Sequence, residues 1–65
     1  MNTEELKLEI FRNKLTQQDV AKRINVSPKT FYNKMKKGVF GTDEVEILID
    51  VLNIDKDRAL EIFFN

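Results

Sequence analysis

Lys29, Thr30 and Asn33 place an ammonium, a hydroxyl and a carboxamide within one short stretch, and Lys36 and Lys37 follow directly. Such groups bind rather than cleave. An Asn amide carries one acceptor and one donor, which matches the adenine edge of a base pair. Lys donates to the oxygen and nitrogen of guanine, and further ammonium groups suit phosphate oxygens. The chemistry of catalysis is missing. The 65 residues contain no cysteine and no histidine, and the one serine is Ser27. This removes disulfides, zinc fingers and most metal sites, together with His- or Cys-dependent catalysis. There is no nucleophile–base pair, no glycine loop to cradle phosphate and no metal-ligand cluster. We therefore expect no enzyme, no cofactor and no small-molecule ligand.

Formal net charge is zero, but the charge is unevenly spread. Residues 14–38 hold Lys14, Lys22, Arg23, Lys29, Lys34, Lys36 and Lys37 against Asp19 alone. Residues 39–65 hold Lys56 and Arg58 against seven acids. Surface charges are screened beyond about 8–10 Å at ordinary salt, so the local basic field outweighs the neutral total. No apolar run approaches the roughly 18 residues of a membrane span, and no leader pattern is visible. The expectation is a cytoplasmic, single-domain protein spanning 1–65.

The elements that position these side chains are legible from their end signals. Thr16 and Asp19 approximate a capping box for a helix from Gln17 to about Ile24. Ser27-Pro28 starts a second helix running to Lys37: Ser caps, and Pro at the first position has no N–H to lose. Asn25 lies in the tight turn between them and tolerates positive φ; Gly38 stops the second helix. Val20 and Ile24, with Ala21 and Val26, form an inward seam with Phe31 and Met35. Lys29 and Asn33 then point away from the core, flanked by Lys36 and Lys37, with Thr30 and Tyr32 at the margins.

This is the pattern of a helix-turn-helix, and the chain resembles the Cro/CI-type (lambda-repressor-like) DNA-binding domains, particularly small phage-type regulators. Residues 15–38 carry the resemblance most strongly. The turn holds Asn25 where relatives usually have Gly. Lys34 stands where many carry an apolar residue, and Met35 takes over one position later. The resemblance implies an all-α, compact five-helix domain whose third helix enters the major groove of operator DNA. The N-terminal end of that helix approaches the bases. Lys29, Thr30 and Asn33, with Ser27 and Pro28 close by, are thus the candidate base contacts. Gln17, Tyr32, Lys36, Lys37, Lys22 and Lys14 are the candidate phosphate contacts.

Three more helices are expected. Residues 3–14 read as the first, with Thr3 as its cap, Lys14 at its end, and Leu6, Ile10, Phe11 and Leu15 on one face. A fourth runs from about Glu44 to Leu52, capped by Asp43 or Thr42, with Val45, Leu48, Ile49 and Leu52 facing the core. A fifth runs from Lys56 to about Phe64, capped by Asp55, with Ala59, Leu60 and Phe63 packing inward. In the loop before the fourth helix, which holds Val39 and Phe40, the aromatic is expected to plug the core. Ile47, Val51, Ile62 and Phe64 remain as surplus apolar surface, which reads as a dimer interface. The leading expectation is a Cro-like homodimer on a palindromic double-stranded DNA operator, acting as a repressor. The alternative is a protein-binding antirepressor, or a module that modulates another regulator, working through the acidic, apolar C-terminal third.

Overall fold

The computed structural model describes residues 1–64. Those residues form five helices: α1 Thr3–Arg12, α2 Gln17–Arg23, α3 Pro28–Lys37, α4 Thr42–Val51 and α5 Lys56–Phe63. The fold is all-α and compact, with a radius of gyration of 10.4 Å.

Local chemistry accounts for most helix starts. Thr16 and Asp19 make the reciprocal box: the Thr16 hydroxyl accepts from the Asp19 N–H at 3.1 Å, and the Asp19 carboxylate accepts from the Thr16 N–H at 2.9 Å. Ser27 caps α3 and Pro28 opens it; Asp55 caps α5. Two starts differ from expectation. Asn2, not Thr3, caps α1, its side chain accepting from the Glu5 N–H, because Thr3 is already helical. Gly41, rather than Thr42 or Asp43, sits at the start of α4. The Glu44 carboxylate reaches back to the Gly41 N–H at 2.8 Å, which draws Thr42 into the helix.

The ends of α1 to α4 share one closure. A residue with positive φ follows the helix: Lys14 (59°), Asn25 (63°), Gly38 (71°) and Asn53 (51°). Its N–H and the next N–H return to carbonyls of the last turn. Lys14 donates to Phe11 and Leu15 to Ile10; Asn25 to Lys22 and Val26 to Ala21. Gly38 donates to Met35 and Val39 to Lys34, and Asn53 to Asp50 and Ile54 to Ile49. These bonds satisfy carbonyls that would otherwise lack partners. The residue after each turn is apolar. Leu15, Val26 and Ile54 pack on the core, whereas Val39 is exposed. The closure also corrects α1, which ends at Arg12; Lys14 lies in the turn.

The core gathers Leu6, Ile10, Val20, Ala21, Ile24, Phe31, Met35, Leu48, Leu52, Ile54, Ala59 and Ile62. Phe40 joins its edge, its ring centroid 5.5 Å from that of Phe31. Three apolar residues depart from their expected places. Phe11 is 78% exposed and Leu60 is half exposed, whereas Ile62 is fully buried. An ionic cluster lies where α1 meets α5. Arg58 on α5 donates to Glu9 at 2.9 Å and to Glu5 at 2.8 Å on α1, and Arg12 also reaches Glu9 at 2.8 Å. Those bonds hold the Arg58 guanidinium more firmly protonated than an ordinary arginine. They turn the Glu9 side of α1 and the Arg58–Ile62 side of α5 toward each other. Phe11 stands about 100° round α1 from Ile10, and Leu60 about 100° round α5 from Ala59, so both leave the buried arcs.

Candidate nucleic-acid interface

Buried residues on α3 fix which way its other side chains point. Phe31 and Met35 are 1% and 4% exposed. Lys29, Thr30, Asn33, Lys36 and Lys37 are all exposed, as are Ser27 and Pro28 at the helix start. Every expected base contact therefore lies on accessible surface. None of these side chains is an acid.

The start of α3 orients two hydroxyls. Ser27 Oγ accepts from the Thr30 N–H at 3.1 Å and donates its own proton to Thr30 Oγ1 at 2.9 Å. The Thr30 hydroxyl proton is not used in that pair and can be given to an acceptor outside the protein. Thr30, Asn33 and Lys37 line one shallow groove with Lys34 and Val39. A hydroxyl, an amide and an ammonium thus converge beside an apolar side chain.

Among the expected phosphate contacts, Gln17, Tyr32 and Lys36 come together around a second depression, between α2 and α3. Lys22 borders another with Gln18, Asp19, Val26 and Pro28. Asp19 is held ionised below the usual carboxylate range, first by the Thr16 N–H and then by the Thr16 hydroxyl. It therefore remains a local negative charge beside Lys22. Lys14 is exposed in the α1–α2 turn, on neither helix of the pair.

Two cations have roles that spacing did not reveal. Lys34 forms a 3.0 Å ion pair with Glu44 of α4, largely shielded from solvent. Its charge is spent on joining α3 to α4. The Gly41 N–H, more than Lys34, holds the Glu44 carboxyl below the usual range. Lys7 of α1, together with Thr3, borders the depression that holds Gln17, Tyr32 and Lys36. Nothing in the spacing links Lys7 to α3, because their approach depends on how α1 crosses the pair.

The four residues expected at a dimer interface divide. Ile47 (39%) and Phe64 (72%) are exposed. Val51 is half-buried against the core, and Ile62 is fully buried and unavailable to a partner. Phe64 borders an apolar hollow with Met1, Val39, Phe40, Val45 and Phe63. Among the described residues no helix is long and apolar enough to cross a membrane. Comparison with protein-family models, curated proteins and solved structures gives no match.

Proposed function

We propose that the chain is a sequence-specific double-stranded DNA-binding transcriptional regulator, a Cro-like repressor acting in the cytoplasm. In this reading α2 and α3 are a helix-turn-helix, and α3 enters the major groove. One observation carries the reading: the exposed side of α3 presents Lys29, Thr30, Asn33, Lys36 and Lys37 with no acid among them, opposite a side anchored by Phe31 and Met35. Lys29, Thr30 and Asn33 read base edges, with Ser27 and Pro28 at the groove. Tyr32, Lys36, Lys37, Gln17, Lys22 and Lys14 hold the phosphate track. The regulator works as a homodimer on a palindromic operator, with Ile47 and Phe64 as the exposed apolar residues available for pairing.

Selection from random duplex DNA over several rounds, at varied salt, tests this reading. An enriched palindrome with two half-sites is the expected result. A single enriched half-site would retain the regulator and remove the dimer. Weak, salt-sensitive binding without enrichment would favour a protein-binding antirepressor that uses the acidic C-terminal third, where Ile47, Leu60 and Phe64 are exposed.

A further inference from the structure

A depression lies at the junction of three helices. Thr3 and Lys7 come from α1, Gln17 from α2, and Tyr32 and Lys36 from α3, with Met35 also in its lining. The lining supplies two ammonium groups, a phenol, a hydroxyl and a carboxamide, and contains no carboxylate. Its volume is about 200 Å³. Bulk water occupies roughly 30 Å³ per molecule, so a phosphate group fits with some of its hydration.

We propose that this depression seats one phosphodiester of the DNA backbone in each half-site, with Lys7 of α1 as a cation that α2 and α3 do not themselves provide. The inference rests on the regulator reading and extends it from a two-helix contact to a three-helix one. Lys7 from α1 and Lys36 from α3 neutralise the phosphate charge. Tyr32 and Gln17 donate to its oxygens, as side-chain hydroxyls and amides commonly do in backbone contacts. Lys7 is free to do so. Its ion pair is with Glu4, at 3.6 Å, and the two side chains are 49% and 82% exposed. A pair so long and so wet competes weakly with a phosphate.

The test uses the full chain and a duplex carrying the enriched site, with single neutral methylphosphonates substituted at successive positions. Lys7→Gln and Tyr32→Phe are compared with Lys56→Gln, which removes one exposed charge from α5. Thermal melting of each variant verifies folding. For the unmodified protein, neutralising one phosphate per half-site is expected to weaken binding. For Lys7→Gln the same substitution is expected to have little further effect, and Tyr32→Phe is expected to lose sensitivity at that same phosphate. Lys7→Gln is also expected to make the slope of log affinity against log salt shallower by about 0.9, with base preference unchanged. The proposal is overturned if Lys7→Gln matches Lys56→Gln at every phosphate while Lys37→Ala still lowers the slope. In that outcome the regulator reading stands and the three-helix seat does not. Absence of DNA binding by the unmodified protein would overturn both.

Discussion

Asn33 and Lys37 occupy the same exposed side of α3 and line the same groove, yet they should fail differently. An amide that pairs with one base edge carries sequence information, whereas an ammonium on phosphate does not. Asn33→Ala is expected to relax preference at one base pair, at a cost of about 1–3 kcal/mol. Lys37→Ala is expected to weaken all sequences alike and reduce the salt slope by about one charge. Binding measured on a panel of single-base variants, at several salt concentrations, separates the two. Unchanged preference after Asn33→Ala would mean that the reading face is misassigned. Acid also acts at single residues. Asp19 and Glu44 are both held below their usual values by backbone N–H groups. A carboxyl whose folded value is depressed binds fewer protons than in the unfolded chain. Its stabilisation is complete above the unfolded value and is lost as pH falls through the folded one. Denaturation midpoints should therefore drop between about pH 5 and 3, and Glu44→Gln should show a shallower drop. Identical pH profiles for the two proteins would remove Glu44 from the account.

Helices two and three were legible at the level of single residues. Thr16, Asp19, Asn25, Ser27, Pro28 and Gly38 each carry a signal confined to a few neighbouring residues, and each takes the predicted role. Elements whose facing depends on a distant partner were not legible. Arg58 lies 49 residues from Glu9, so no neighbouring residue marks the ionic contact between α1 and α5. Lys34 likewise needs Glu44, ten residues on, before its role as a strut can be seen. The closure of α1 was hidden for another reason: Lys14 takes a left-handed conformation that sequence readers assign to Gly or Asn. That leaves strain to be relieved. Lys14→Gly is expected to raise stability by about 0.5–1 kcal/mol, because glycine adopts positive φ without steric cost. Urea unfolding is the measurement, and a lower midpoint would contradict the strain argument. The same variant deletes a candidate phosphate contact, so weaker DNA binding alongside greater stability would separate the two roles of one residue.

The whole molecule measures 28 Å along its longest axis. In the proposed reading, half-sites one helical turn apart are separated by roughly 34 Å, so one copy would cover one half-site and a palindrome would need two. The polarised charge fits that arrangement. Residues 14–38 carry seven cations against Asp19 alone, and the C-terminal third carries most of the acids, so on the proposed reading one copy would turn its basic side to DNA. The four matching turns have a consequence in time as well as in space. Each is completed by hydrogen bonds within about one turn of chain, so the helix junctions form without waiting for distant segments. The seam between α1 and α5, with its Arg58 contacts and the 2.7 Å bond from the Asn2 N–H to the Ile62 carbonyl, joins opposite ends of the sequence. It closes the longest loop in the fold and is therefore expected to assemble last. Reversed, it is the first to open. Native-state amide exchange is expected to show α5 exchanging before α2 and α3, and simultaneous exchange of all five helices would refute this order. A transiently detached α5 would leave α2 and α3 folded while uncovering the apolar surface that Ile62 covers.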